Sequence, residues 1–218
     1  MIDRFRDRAE AGRLLARELS AYAGRTDVLV LALPRGGVPV AFEVARELGA
    51  PLDVFVVRKL GVPGQQELAM GAIAPGGVCV VNEALVRQLH IPAGTLDAVA
   101  TAETRELERR ERLYRGGRPP VDVRGRTVIL VDDGLATGAT MHAAVRALRT
   151  QGPAAIVVAA PVGAPETCAA LSGPADDCVC VLRPPALRGV GLWYEDFTQT
   201  EDAEVRALLE RARAAPAA

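Results

Sequence analysis

The stretch Val128-Ile129-Leu130-Val131-Asp132-Asp133-Gly134-Leu135-Ala136-Thr137-Gly138-Ala139-Thr140-Met141 decides the fold of this 218-residue chain. Its first four residues are apolar and mostly β-branched, which predicts a strand buried on both faces. Two carboxylates end the strand, and a turn with two glycines and two threonines leads into an Ala-rich helix from about residue 139. A strand, a small-residue loop and a helix start form an anion site, because backbone N–H groups converge there and the helix dipole adds partial positive charge.

The two acids of this stretch need a separate explanation, because carboxylates beside a phosphate repel it. A ligand that carries both a phosphate and a vicinal diol resolves the conflict. Loop 134–140 then binds the phosphate, while Asp132 and Asp133 accept hydrogen bonds from the hydroxyls or face a Mg²⁺. Ribose 5-phosphate has both groups. Two other phosphate motifs fit badly, since the loop lacks the Gly-Lys-Ser/Thr of a P-loop and the glycine spacing of the dinucleotide fingerprint.

A second strand, glycine loop and helix lie near the N-terminus. Residues 27–33 are predicted as a buried strand, Pro34-Arg35-Gly36-Gly37 as a loop, and 38–48 as an amphipathic helix. An arginine in such a loop can grip an oxyanion with its guanidinium, and the glycines let backbone N–H groups approach it. The alternation of strands and helices predicts one α/β domain over residues 1–218. We expect a doubly wound, mostly parallel sheet with helices on both faces and ligands at the carboxyl ends of the strands.

Lys59 is the only lysine among 26 basic residues, and it follows another predicted strand. Its compact ammonium cannot be replaced by the planar fork of arginine, which suggests a specific use. Residues 58–67 are rich in glycine and proline and basic at their start, and we predict a loop there. An ordinary exposed connector is the alternative.

Two further segments each allow two roles. Residues 82–120 are predicted as a helical insertion whose alternating charges over 104–112 indicate a solvated face. A contact in a homodimer, or a cover over the site, is the alternative. Residues 183–200 hold three aromatic side chains within five residues, including the only tryptophan. Trp193 and Tyr194 are candidates for stacking on a base, and a core-closing cluster is the alternative.

Composition narrows the function further. The formal net charge of −1 gives no sign of nucleic-acid binding, and no apolar run approaches the roughly 20 residues of a membrane span. The first seven residues are too charged for a signal peptide, so we expect a cytoplasmic protein. The four cysteines have no zinc-site spacing, which favours buried thiols over a metal or redox pair. They are Cys79, Cys168, Cys178 and Cys180.

Residues 128–141 resemble the 5-phosphoribosyl 1-diphosphate (PRPP) motif of the type I phosphoribosyltransferases, with four apolar residues, two acids and Gly-x-x-Thr-Gly-x-Thr. The resemblance implies transfer of 5-phosphoribosyl from PRPP to a nitrogenous base with release of pyrophosphate, as in nucleotide salvage, with Mg²⁺ as cofactor. It places the 5′-phosphate on Gly134, Leu135, Ala136, Thr137, Gly138, Ala139 and Thr140. It places the ribose hydroxyls and Mg²⁺ on Asp132 and Asp133, directly or through water. The pyrophosphate would lie on Arg35, Gly36, Gly37, Arg58 and Lys59.

The resemblance has further implications. Residues 58–67 would form a mobile loop that closes over the site, and the Pro34–Arg35 peptide bond would be cis. Residues 183–200 would form a hood over the base together with the N-terminal region. Catalysis would rest on Asp132, Asp133, Lys59 and Arg35.

The acceptor stays open, with a purine slightly favoured. Many 6-oxopurine enzymes of the family carry an acid near Ala136 and a lysine on the next strand, where Ala159 and Ala160 stand. Both differences count against hypoxanthine and guanine, and Arg58-Lys59 is similar to adenine-type enzymes.

Two other functions are alternatives to phosphoribosyl transfer. A non-catalytic, PRPP-binding regulator would keep the phosphate loop and lose the pyrophosphate grip, which Arg35 and Lys59 argue against. A serine hydrolase is disfavoured, since the chain has no Gly-x-Ser-x-Gly and only two serines and two histidines.

Overall fold

A computed structural model describes residues 3–214 of the chain, apart from the side chains of residues 66 and 67. The strands are β1 (Val28–Ala32), β2 (Leu52–Val54), β3 (Arg58–Val62), β4 (Gln65–Ala74), β5 (Val78–Val81), β6 (Thr127–Val131), β7 (Ala155–Val162) and β8 (Asp177–Leu182). The helices are α1 (Arg8–Glu18), α2 (Gly37–Leu48), α3 (Glu83–Gln88), α4 (Ala93–Arg115), α5 (Ala139–Arg149), α6 (Pro165–Leu171) and α7 (Asp202–Ala214). None of the helices in this described part is both long and apolar enough to cross a membrane.

A five-stranded sheet in the order β2-β1-β6-β7-β8 forms the centre, and every neighbouring pair in it is parallel. Successive side chains of a strand point to opposite faces, so β1 and β6 each contribute to two cores. Val30 and Ile129 pack in the core that includes α1, α2 and α7, whereas Leu31 and Leu130 pack in the core that includes α5 and α6. Helices therefore cover both faces, and the predicted doubly wound α/β fold is confirmed.

The strand order determines where a ligand can bind. The chain runs from β1 outward to β2 on one side and from β6 outward to β8 on the other, so the direction of winding reverses between β1 and β6. Ligands of open α/β sheets bind in the crevice at the carboxyl ends of the strands at such a reversal. The loops that follow β1 and β6 are the two glycine loops found in the sequence.

Residues 58–67 do not form the predicted loop. They belong to a second, antiparallel sheet of β3, β4 and β5, in which Pro63 and Gly64 form the tight turn between β3 and β4. Gly64 has a φ of 79° in that turn, a conformation that glycine adopts readily. The prediction failed because Leu60 and Val62 are buried and alternate with half-buried positions, a strand period that the glycine and proline content concealed.

Residues 82–120 contain α3 and α4, as the prediction of a helical segment implied. The side chain of Asn82 caps α3 by accepting a hydrogen bond from the Leu85 N–H. The charged face of α4 carries side-chain pairs such as Glu106–Arg110, in keeping with a solvated surface. Its C-terminal Arg115 is instead buried against β2, so this end of the helix is fixed to the central sheet.

Candidate active site

The two glycine loops touch each other at the carboxyl edge of β1 and β6. The Leu33 N–H donates to the Val131 carbonyl over 2.8 Å, which extends the pairing of the two strands into the loops. A β-carbon on Gly36 would overlap the Asp133 carboxylate, and one on Gly37 would lie 2.8 Å from the Val131 carbonyl oxygen. Glycine is therefore needed for close approach. The Pro34–Arg35 peptide bond is cis, as the resemblance implied.

Replacing Gly37 with alanine should lower the free energy of unfolding by about 1–3 kcal/mol, the usual cost of overpacking. The new methyl group would meet the Val131 carbonyl and the Asp132 Cα, and backbone atoms of a central strand cannot easily move. Urea denaturation measures the change. Gly94→Ala is the matched control, since its β-carbon meets nothing within 4 Å and the variant should keep its stability. Equal stability of both variants would contradict the close approach of the loops.

Asp132 and Asp133 share a pocket in which their charges are disfavoured. The Asp132 carboxylate accepts a hydrogen bond from the Asp133 N–H over 2.9 Å. Burial raises the pKa of Asp132 well above its usual range, and the neighbouring Asp133 charge raises it further. Burial also raises the pKa of Asp133, against the opposing effect of the Arg8 guanidinium. A ligand that brings hydroxyl donors or a cation to these oxygens would stabilise their ionised form.

Arg8 is a site residue that the sequence did not reveal. Its Nε and Nη2 both donate to Asp133 Oδ2, over 3.0 and 2.8 Å, and the two side chains are only 11% and 17% exposed. The guanidinium also lies 3.9 Å from the centre of the Phe197 ring. Arg8 and Asp133 are 125 residues apart in the chain, and one arginine among many in an N-terminal helix gives no signal of this pairing.

Loop 134–140 lies open to solvent at the start of α5. Ala136, Thr137, Ala139 and Thr140 are exposed, and Gly138 adopts the left-handed conformation directly before the helix. The Thr167 hydroxyl holds the loop from behind by donating to the Ala136 carbonyl over 2.6 Å. The arrangement presents backbone and threonine donors at a helix N-terminus, as the sequence predicts for an anion site.

The N-terminal segment and residues 190–197 form one wall of the site. The Phe5 N–H donates to the Trp193 carbonyl, and the Glu195 N–H donates to the Phe5 carbonyl. A β-carbon on Gly134 would overlap the Val190 side chain, which shows how closely this wall lies on the acid-containing turn. The contact between the N-terminal region and residues 183–200 that the predicted hood requires is therefore present.

Tyr194 does not have the position predicted for base stacking. Its ring is buried between Phe5 and Phe197, and its hydroxyl donates to the Asp133 carbonyl over 2.7 Å. Tyr194 thus fixes the turn that carries the acids, and Phe5 of the N-terminal segment packs on its ring. Trp193 is partly buried against the same cluster, and its assignment to the base stays a prediction.

The basic side chains predicted for the pyrophosphate point to different neighbours. Arg35 Nη1 lies 3.9 Å from Asp202 Oδ1, across the crevice mouth at the start of α7. Arg58 Nε donates to Glu103 of α4 over 2.6 Å, so this side chain is directed toward α4 in the structure. Lys59 follows Arg58 in β3, where successive side chains alternate between faces, and its side chain is thus directed away from that of Arg58. The role of all three at a pyrophosphate stays a prediction.

Three of the four cysteines come together behind loop 134–140. Cys168, Cys178 and Cys180 have their sulphur atoms within 4.8 Å of one another, whereas Cys79 lies exposed on β5. Burial of Cys168 and Cys178 agrees with the prediction of buried thiols. The clustering itself was missed, because Cys168 lies on α6 and linear spacing does not show that α6 packs on β8.

A cavity of about 640 Å³ lies away from both glycine loops. It is lined by the C-terminal end of α2, the strand β2, residues 118–121 and the end of α7.

Comparison with known proteins supports the sequence motif. The family model described as "Phosphoribosyl transferase domain" matches residues 1–186. The Mycobacterium tuberculosis (strain H37Rv) protein named "Putative phosphoribosyl transferase Rv0571c" is 50% identical over 208 residues, which are 95% of this chain and 47% of that protein. This chain thus spans about half the length of its curated mycobacterial relatives. "Bifunctional protein PyrR" of Chloroflexus aurantiacus is 34% identical over 57% of this chain and 64% of its own length.

A solved structure resembles the whole fold. The protein TT1426 from Thermus thermophilus is 43% identical, with a TM-score of 0.86 over 95% of this chain and 98% of that one. The family match covers both glycine loops, the acid pair and the five parallel strands, which are the parts that meet at the crevice. The chain therefore belongs to the phosphoribosyl transferase domain family.

Proposed function

We propose that this chain transfers 5-phosphoribosyl from PRPP to a nitrogenous base and releases pyrophosphate. The observation that carries the proposal is the contact between the two glycine loops at the β1–β6 reversal. Gly36 adjoins Asp133, and Asp133 leads directly into loop 134–140. One small molecule could therefore span both loops with its hydroxyls at the acids between them.

The groups around the crevice match the parts of PRPP. Loop 134–140 offers N–H and hydroxyl donors to the 5′-phosphate, and Asp132 and Asp133 offer acceptors to the ribose hydroxyls. Arg35 and Lys59 offer positive charge to the pyrophosphate, which Arg35 could reach by leaving its 3.9 Å contact with Asp202. That contact joins two half-exposed side chains and is weak enough to be exchanged.

The acid pair also fits Mg²⁺, which prefers oxygen ligands and is commonly bound through one or two carboxylates and substrate phosphates. Arg8 donates to Asp133 Oδ2, and the Asp133 N–H donates to Asp132 Oδ1. The other two oxygens, Asp133 Oδ1 and Asp132 Oδ2, are therefore the candidate metal ligands. When bound, Mg²⁺ would neutralise charge on the phosphate oxygens of the substrate.

Charged side chains of the protein would stabilise the charges that develop in this reaction. Breaking the bond between C1 and the pyrophosphate makes the ribose cation-like, and ionised Asp132 and Asp133 would stabilise that charge. Arg35 and Lys59 would stabilise the pyrophosphate as it leaves. Water must be excluded, and the β3–β4 hairpin with the wall at 190–197 could cover the sugar from two sides.

A base screen tests the proposal. The protein is incubated with PRPP, Mg²⁺ and each of a panel of bases, and pyrophosphate release and nucleotide formation are measured. Adenine comes first among the purines, because Ala136, Ala159 and Ala160 stand where many 6-oxopurine enzymes carry charged side chains. Base-dependent release supports the transferase. Calorimetric binding of PRPP without release from any base would favour the non-catalytic regulator, and absence of PRPP binding would contradict both functions.

A further inference from the structure

A cluster of three thiols lies outside the crevice and has no part in the proposed reaction. Cys168 comes from α6, and Cys178 and Cys180 are two residues apart on β8, so both point to the same side of that strand. All three are free cysteines, and the sulphur atoms of Cys168 and Cys180 are 3.3 Å apart. All three sulphur atoms lie within 4.8 Å of one another.

These distances suit a single metal ion. Thiolates bind Zn²⁺ at about 2.3 Å, so sulphur atoms around such an ion lie roughly 4 Å apart. The 3.3 Å between the Cys168 and Cys180 sulphur atoms is shorter than that value and all three separations are within 4.8 Å, so small side-chain rotations would suffice to surround an ion. Neither an imidazole nor a carboxylate joins this group within residues 3–214. The donor set is therefore purely sulphur, which selects soft cations over Mg²⁺.

We propose that Cys168, Cys178 and Cys180 bind one soft, thiophilic metal ion, Zn²⁺ or Cu⁺, through three thiolates. Three sulphur ligands can complete the site for Cu⁺, whereas Zn²⁺ would add a water to reach its usual four ligands. The ion displaces the three thiol protons as the metal–sulphur bonds form, and no oxidation is involved.

The surroundings can accommodate the ion. Cys168 and Cys178 are buried, and the partial exposure of Cys180 provides a route of entry. The Arg183 guanidinium donates to the Cys178 carbonyl over 2.7 Å, so a fixed positive charge lies beside the thiolates and offsets their excess negative charge.

The thiol site is connected to the phosphate loop through short contacts. A β-carbon on Gly163 would lie 2.7 Å from the Cys180 sulphur and 2.8 Å from that of Cys168, so the thiols pack on this residue. The Ala164 N–H, next to Gly163, donates to the Leu135 carbonyl over 2.9 Å. Thr167, next to Cys168, holds the Ala136 carbonyl. A bound ion would thus fix α6 and β8 against the back of loop 134–140.

Metal binding is tested on the full chain after reduction and removal of metal. Zn²⁺ and Cu⁺ are titrated separately in competition with a chromophoric chelator, and retained metal is counted by elemental analysis after desalting. We expect one ion per chain with at least one of the two metals. Cys168→Ser, Cys178→Ser and Cys180→Ser should each weaken binding at least tenfold, and Cys79→Ser, outside the cluster, should bind like the parent.

A spectroscopic arm keeps the test independent of enzymatic activity. Cd²⁺ should produce thiolate-to-metal charge-transfer absorption in the parent and in Cys79→Ser, with a reduced signal in the three cluster variants. Failure of the parent to retain either metal would overturn the site, as would full retention by the cluster variants. If one serine variant does not fold, the other two decide the outcome. Loss of phosphoribosyl transfer has no bearing on these readouts, so the two proposals can fail separately.

Discussion

The Asp132→Asn variant should lose about 10²- to 10³-fold in kcat/KM for phosphoribosyl transfer while its free energy of unfolding at neutral pH rises. The activity falls because the amide cannot stabilise positive charge that develops on the ribose, and one such electrostatic contribution is worth about that factor. The stability rises because burial disfavours the Asp132 charge that the unfolded chain carries at neutral pH, as its raised pKa indicates, and asparagine keeps the acceptor for the Asp133 N–H without a charge to bury.

The pH dependence of this gain has a definite sign. A carboxyl whose pKa is higher in the folded than in the unfolded state destabilises the fold once the pH exceeds its unfolded value of 3.8. The stability difference between Asp132→Asn and the parent should therefore shrink as the pH is lowered to 3.8 and disappear below it, where both states hold the proton. Urea denaturation at neutral and acidic pH measures the difference.

Asp97→Asn is the matched control for this variant, since Asp97 is exposed on α4 and should affect neither property. Steady-state kinetics with PRPP and the best base gives the activity. The double variant Asp132→Asn/Asp133→Asn should be inactive as well, although Arg8 then loses its charged partner and part of the stability gain. Full activity of the double variant would show that the acids take no part in transfer.

Replacing Arg115 with methionine should cost about 3–5 kcal/mol of the free energy of unfolding, the usual effect of removing one partner of a buried ion pair. Arg115 and Asp53 are each only 3% exposed at their side chains, and Arg115 Nε lies 3.0 Å from Asp53 Oδ2. Arg115 also donates to the Val54 carbonyl and pairs with Glu111. Methionine keeps much of the side-chain volume but leaves the Asp53 carboxylate buried without its main cation.

Arg110→Met is the control, because Arg110 lies on the same helix and pairs with Glu106 at a partly exposed position. Its loss should cost less than about 1 kcal/mol. Chemical denaturation of both variants gives the comparison. A second change, Asp53→Leu in the Arg115→Met background, should recover part of the loss, since an apolar pair can replace a buried ion pair. Equal stabilities of Arg115→Met and Arg110→Met would show that α4 is not fixed to the sheet through this pair.

Asp132→Asn and Arg115→Met probe two different places on the central sheet. Asp132 lies at the crevice, where the protein tolerates an unfavourable charge, and that is common at functional sites. Arg115 neutralises the buried carboxylate of Asp53 on β2, where no function is proposed. The opposite expected signs of their effects on stability follow from this difference.

From the sequence alone, residues 27–48 and 128–141 determined β1, β6 and both glycine loops. Each combines a continuous apolar run with glycine at the carboxyl end and a helical pattern behind it, and such signals are local to the chain. A parallel sheet brings the ends of its strands to one edge, so adjacency of the two loops followed from that pattern. The loop prediction for residues 58–67 was wrong because it also relied on local signals. Their glycine and proline content concealed the alternating burial that pairing with β4 imposes.

Tertiary structure alone decided which distant side chains complete and surround the site. Arg8 reaches Asp133, Tyr194 turns from a candidate base contact into a support of the acid turn, and Cys168 joins the two thiols of β8. Each pairing depends on how helices and loops pack on the sheet edge, and no period or motif in the chain encodes that packing. The sequence therefore determined the ligand loops, and the packing of elements far apart in the chain determined the charges and contacts that hold them.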